Sequence, residues 1–84
     1  MYRLLVMYVR LLRKLGHTKK FSVTHRQPFG WDVNEEEDSR IVVTVRYRDW
    51  HRVERAIRTF AGKAKSLREH GWTDHAVIDG PGRA

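Results

Sequence analysis

The sequence predicts an α+β fold in which a three-stranded antiparallel β-meander lies between an N-terminal and a C-terminal helix (α-β-β-β-α). Three observations carry this prediction. Residues 40–48 alternate between apolar and polar side chains, and so do residues 20–26, which is the period of a half-buried strand. Apolar residues recur at helical spacing from Val53 to Leu67. The chain has 84 residues, of which 40% are hydrophobic, and this is sufficient for one small core.

Residues 2–15 are predicted to form the first helix. On a helical wheel, Arg3, Arg10 and Lys14 fall on one narrow stripe, and nearly all other positions are apolar. Gly16 is a suitable helix stop. A β-prone stretch in the middle of the segment leaves a strand open as an alternative. The wide apolar surface of such a helix predicts either the second half of the core or the seam of a homo-oligomer, and its basic stripe is narrow for a helix on a membrane surface.

The three strands follow in sequence. In the first strand, 20–26, the alternation places Phe21, Val23 and His25 on one face. A turn at 27–30 is expected, because proline presets φ and glycine admits a positive φ. Residues 31–33 predict a short second strand and residues 34–39 an acidic turn. The third strand is the clearest, and its inward residues are predicted to be Ile41, Val43, Val45 and Tyr47.

The last helix is predicted to begin after Asp49, a good N-cap, and to end at Gly71. A short final strand over residues 75–78 is left open. Residues 1–79 are therefore predicted to form a single small domain, and residues 80–84, which are rich in glycine, a flexible C-terminal tail.

Charge is distributed unevenly along the chain. The first 31 residues contain seven basic and no acidic residues, whereas the remainder sums to zero, so the formal net charge of +7 belongs to the N-terminal third. Such asymmetry indicates a polyanion or an anionic surface as partner. Asp32 lies on the outward face of the predicted sheet and would repel phosphate. The predicted nucleic-acid-binding residues are Lys19, Lys20, Arg26, Arg40, Arg46 and Arg48 of the sheet region, with Arg10 and Lys14 of the first helix.

Several functional classes find no support in the sequence. The absence of cysteine excludes disulfides, thiol catalysis and cysteine-ligated zinc. The five histidines are scattered, and no HExxH, P-loop, GxSxG or GxGxxG motif occurs, so no catalytic residue, metal or cofactor is predicted. The acidic run 35–38 lacks the ligand spacing of a calcium loop. The apolar run 4–12 is too short to span a bilayer and no secretory cleavage site follows it, so a cytoplasmic protein is expected.

The predicted order of elements resembles that of the double-stranded-RNA-binding domain. That family carries a Lys-Lys-x-x-Lys cluster at the start of its last helix, where this chain has Asp-Trp-His-Arg at residues 49–52. Three strands followed by a helix also resemble the sheet-type DNA-binding domains of plant transcription factors and phage integrases. Both likenesses are topological and carry over no residues. The function predicted from the residues is non-catalytic nucleic-acid binding; the alternative is an adaptor protein that self-associates through residues 2–15.

Overall fold

The computed structural model describes residues 3–79. The elements are β1 (Arg3–Lys14), β2 (His17–Gln27), β3 (Gly30–Glu37), β4 (Arg40–Tyr47), α1 (Trp50–Glu69) and β5 (Thr73–Asp79). The strands form an antiparallel sheet in the order β4-β3-β2-β1-β5, and α1 packs across one of its faces. We call the other side of the sheet the open face. Within the described residues no helix is long and apolar enough to cross a membrane.

The predicted helix over residues 2–15 is wrong, because Arg3–Lys14 forms strand β1. This strand lies between β2 and β5, and a central strand in such a small sheet carries apolar residues on both faces. A β-bulge between Val6 and Tyr8 also interrupts the two-residue alternation that identifies a strand. The α-β-β-β-α layout is thereby corrected to β-β-β-β-α-β. The likeness to the double-stranded-RNA-binding domain and the oligomer seam on a helix depended on that layout and are withdrawn with it.

Two tight hairpin turns replace the predicted helix stop and the predicted acidic turn. Leu15 and Gly16 have φ values of 50° and 81°, as in the two-residue mirror-image turns that join antiparallel strands. Asp38 and Ser39 have φ values of 51° and 69° and join β3 to β4 in the same way. The turn predicted at 34–39 is therefore only two residues long, and three of its acidic residues, Glu35, Glu36 and Glu37, belong to β3.

The other elements lie where the sequence places them. The strands expected at 20–26, 31–33 and 40–48 are β2, β3 and β4, of which the first two are longer than predicted. Helix α1 begins after Asp49, whose Oδ1 accepts a hydrogen bond from the His51 amide at 3.0 Å. The final strand that was left open is part of β5. The predicted tail, residues 80–84, lies outside the described residues.

The core fills the space between the sheet and α1. Phe60 of the helix is 3% exposed, and its ring lies 4.8 Å from the ring of Phe21 and 6.3 Å from that of Tyr8. The buried side chains of this layer are Tyr8, Leu12, Phe21, Val23, Val33, Val53, Phe60 and Ala64. Both β4 and the open face remain in contact with solvent, and Ile41, predicted to point inward, is 62% exposed.

Candidate nucleic-acid interface

Two of the predicted binding residues on the open face are joined by a carboxylate. The Nε of Arg26 donates a hydrogen bond to Asp32 Oδ2, and the Nε of Arg46 donates one to Oδ1, each at 2.7 Å. The side chain of Asp32 is only 9% exposed. The Arg46 guanidinium, followed by that of Arg26, holds the pKa of Asp32 below its ordinary value although burial opposes this. The two arginines therefore share one carboxylate, which neutralises one of their two positive charges.

The acidic residues at the end of β3 neutralise the lysines around them. The register of β2 and β3 sets each lysine of β2 directly opposite a glutamate, and a lysine of α1 reaches a third one. The ion pairs are Lys19–Glu37 at 3.0 Å, Lys20–Glu36 at 3.8 Å and Lys63–Glu35 at 3.0 Å. The glutamates of the acidic run thus supply partners within the chain for basic side chains.

Two further predicted residues, Arg10 and Lys14, hold β1 to the end of the chain. The Nε and Nη2 of Arg10 each donate to the Asp74 carboxylate at 3.2 Å, and Arg68 of α1 donates to the same carboxylate at 2.8 Å. The pKa of Asp74 is lowered, mainly by Arg10. Lys14 Nζ donates to the backbone carbonyl of His70 at 2.6 Å. These contacts connect β1, α1 and β5, so both cations serve the fold.

The carboxylates of Asp32 and Asp74 make stability depend on pH. Their pKa values in the folded protein lie below the ordinary value of 3.8, so their contribution is present above that value and is lost as the pH falls through the lowered values. We expect the free energy of unfolding in urea to fall below about pH 4. Asp32→Asn retains the shape without the charge, and should lower this free energy by about 1–2 kcal/mol at pH 7, because both guanidiniums keep contact with water.

A matched control for this prediction is Glu69→Gln at the exposed end of α1, which should keep the pH dependence of the wild type. The difference in unfolding free energy between the wild type and Asp32→Asn should shrink between pH 7 and pH 3. A difference that stays constant over this range would show that the charge of Asp32 contributes nothing.

The last two predicted residues, Arg40 and Arg48, are exposed and form no ion pair with a carboxylate of the described segment. Arg40 is the first residue of β4 and Arg48 follows its last residue, and neither extends the Arg26–Asp32–Arg46 cluster. A bulge between Glu35 and Glu36 shifts the β3–β4 register, so that Arg40 lies opposite Glu37 on the α1 side of the sheet. The eight predicted residues therefore do not form one basic surface, and their binding of nucleic acid stays a prediction.

The exposed side of α1 carries basic residues that no predicted site includes. The helix contains six basic and two acidic residues. Four exposed cations have no carboxylate partner among the residues that the structure describes, and we call them the basic helix face: Arg52, Arg55, Arg58 and Lys65. They extend over roughly 20 Å of the helix, at 1.5 Å per residue. Gly62 lies between the last two with open space around its Cα, so a backbone or phosphate can approach the helix closely there.

Two clefts lie near the C-terminal end of β4. The first, which we call the helix cleft, has a volume of about 500 Å³ and lies between the end of β4 and the first turns of the helix; its lining residues include Tyr47, Asp49, Arg52, Arg55 and Thr59. The second, the turn cleft, has a volume of about 300 Å³ and lies at the β2–β3 turn; it is lined by His25, Pro28, Phe29, Gly30, Trp31 and Arg48. Tyr47, Arg48 and Asp49 are consecutive, so the two clefts are neighbours.

Sequence reasoning missed the basic helix face because it summed charge along the chain. Residues 32–84 are neutral in sum, yet four of their ten acidic residues lie on β3, whereas α1 carries six basic and only two acidic residues. The available signal was the spacing of Arg52, Arg55 and Arg58, which places them along one side of a helix. Histidine and acidic side chains form no group of three that could hold a metal ion in the described part of the chain.

Self-association stays a prediction, since the contacts described above are those within one chain. The exposed apolar side chains of β1 and β4, such as Leu4 and Ile41, are compatible with it but identify no partner. The chain matches no known family model, and no curated protein or solved structure is significantly similar to it, so its function has to be inferred from the chemistry of its own surface.

Proposed function

We propose that this protein binds nucleic acid, and that the basic helix face contacts the phosphates. The observation that supports the proposal is the contrast between the two basic regions. Five cations of the sheet are paired with carboxylates, namely Arg10, Lys19, Lys20, Arg26 and Arg46, and the exposed Arg13 and Arg40 lie apart on different strands. By contrast, four cations without a carboxylate partner in the described segment share one helix: Arg52, Arg55, Arg58 and Lys65. The proposal keeps the predicted class of function and moves its surface from the sheet to the helix.

The free energy of phosphate binding favours unpaired cations. A lysine or arginine that neutralises a phosphate releases condensed counterions, and this release drives most non-specific association with nucleic acids. The charge of Arg46 is partly neutralised by Asp32, to which its Nε donates a hydrogen bond, so Arg46 attracts a phosphate less strongly than a free guanidinium does. Arg55 and Arg58 have no such carboxylate neighbour in the described segment, so the same charge contributes more to binding on the helix than on the open face.

The shape of the helix surface also suits a polyanion. Arg52 and Arg55 line the helix cleft, where Thr59 adds a hydroxyl group. Arginine donates paired hydrogen bonds to phosphate oxygens, and hydroxyl groups add further contacts of the same kind. The acidic neighbour Glu54 lies 3.6 Å from His51 Nδ1 at the flank of the helix. Contacts of this type read no sequence, so the proposal covers both DNA and RNA.

The dependence of affinity on salt tests the proposal. Four phosphate contacts predict a slope of about −3 to −4 for the logarithm of the association constant against the logarithm of salt concentration on duplex DNA. Fluorescence anisotropy of a labelled 20-base-pair duplex, titrated at several salt concentrations, measures this slope. Failure of both a duplex and a single strand to bind at low salt would exclude the proposed function, and a slope near zero would exclude the phosphate contacts.

A further inference from the structure

We propose that the turn cleft holds an unpaired nucleobase, so that the preferred ligand of the protein is single-stranded nucleic acid. The inference rests on the proposed function and adds to it a site and a substrate class. It depends on the aromatic rings around the β2–β3 turn, on the cation beside them, and on the position of the turn cleft next to the helix cleft.

The walls of the turn cleft offer flat apolar surfaces. Phe29, at the tip of the turn, is 44% exposed. His25 and Trp31 stack with ring centroids 4.7 Å apart and planes inclined by 12°. A nucleobase has two flat faces that stack on such rings, and this stacking accepts every base because each has a π-face. The composition of the cleft therefore suits a base better than it suits a phosphate.

The backbone fixes this aromatic turn against the end of β4. Gly30 lies in the turn cleft with a φ of 108°, and a Cβ at this position would collide with the carbonyl oxygen of Tyr47. The close approach keeps Arg48, the next residue of the chain, at the rim of the cleft beside Phe29. An exposed guanidinium at this rim can donate to the edge of a stacked base or to its phosphate.

The turn cleft adjoins the helix cleft, because Tyr47 lines the helix cleft and Arg48, the next residue, lines the turn cleft. Arg52 and Arg55 of the basic helix face line the helix cleft and so connect this face to the turn cleft. A strand whose phosphates lie along this face can therefore bring one nucleotide to the turn cleft. A base that is paired and stacked within a duplex is not available for insertion without flipping, which costs a few kcal/mol.

Phe29→Ala provides the first test, with a labelled single-stranded 12-mer of thymidylate as the probe. We expect this change to weaken binding about tenfold, because stacking of one base is lost, and to leave the salt slope unchanged, because no cation is removed. Phe29→Tyr retains the ring and should bind within about twofold of the wild type. Circular dichroism and urea unfolding confirm that both variants fold. An equal affinity of Phe29→Ala and the wild type would overturn the inference.

A probe that carries phosphates but lacks bases makes the test specific. A 12-mer of abasic nucleotides should bind the wild type about tenfold more weakly than thymidylate does, and Phe29→Ala should cause no additional loss with it. If Phe29→Ala weakens binding of the abasic strand by the same factor as it weakens binding of thymidylate, the two losses are independent, and this result would contradict a base in the turn cleft. If thymidylate, abasic strand and duplex all bind the wild type equally, the inference fails while the proposed function stands. If none of them binds at low salt, both fail.

Discussion

Replacement of Arg52, Arg55 and Arg58 together by glutamine is expected to weaken binding to a DNA duplex by on the order of 100-fold at low salt. It should also reduce the salt slope by about three, because three phosphate contacts are removed. These side chains are exposed and form no ion pair in the described segment, so the variant should fold as the wild type does. Fluorescence anisotropy against salt concentration measures both effects.

The matched control removes the same number of charges from the other basic region. In the triple variant Lys19→Gln, Lys20→Gln and Arg40→Gln, the net charge falls equally, but two of the three cations are already paired with glutamates of β3. We expect its affinity to stay within about threefold of the wild type, since only the long-range field changes. Equal losses in the two variants would mean that net charge alone, and not the basic helix face, determines binding.

Phe60→Ala is expected to lower the free energy of unfolding by about 3–5 kcal/mol. Phe60 is the aromatic residue of α1 that lies deepest in the core, against Phe21 and Tyr8. A domain of this size has a total stability of roughly 4–12 kcal/mol, so the substitution should remove at least about a quarter of it. Urea denaturation followed by circular dichroism measures the change.

Two controls accompany Phe60→Ala. Phe60→Leu keeps most of the apolar volume and should cost less than about 2 kcal/mol. Thr59→Ala, next to it on the exposed side of the helix, should change stability by no more than about 0.5 kcal/mol. A loss below 1 kcal/mol for Phe60→Ala would contradict the packing of this side of α1 against the sheet.

The elements that the sequence predicted are those whose apolar residues recur at a regular spacing. Helix α1 buries Val53, Phe60 and Ala64 on one side, and apolar and polar residues alternate over β2 and β4, although most of β4 is exposed. Strand β1 has apolar residues on both faces and a bulge between Val6 and Tyr8, so its period is hidden. Strand β5 pairs with the edge of β1 that β2 leaves free, and it comes after α1 in the sequence. No local sequence pattern predicts this distant pairing, which makes β1 a central strand.

The predicted site failed for a different reason, which is that charge pairs form across strands. The turn at 27–30 was predicted, and with Arg26 opposite Gly30 it places Lys20 opposite Glu36. The pairing of the basic residues of β2 with acidic residues of β3 could therefore be predicted from the sequence, but only after the two strands were aligned from the turn that joins them. The bulge that moves Arg40 away from Arg46 could not be predicted in this way. The consecutive β-branched residues at 41–43 are typical of a regular strand and do not indicate a bulge.

The position of the bound nucleic acid on the protein surface tests the central claim most directly. Backbone amide chemical shifts of the ¹⁵N-labelled protein, recorded by NMR during titration with the thymidylate 12-mer, report this position residue by residue. We expect the largest changes along α1, from Arg52 to Lys65, and around the turn cleft. Changes confined to the open face, around Lys20, Arg26 and Arg46, would contradict binding by the helix and return the site to the sheet.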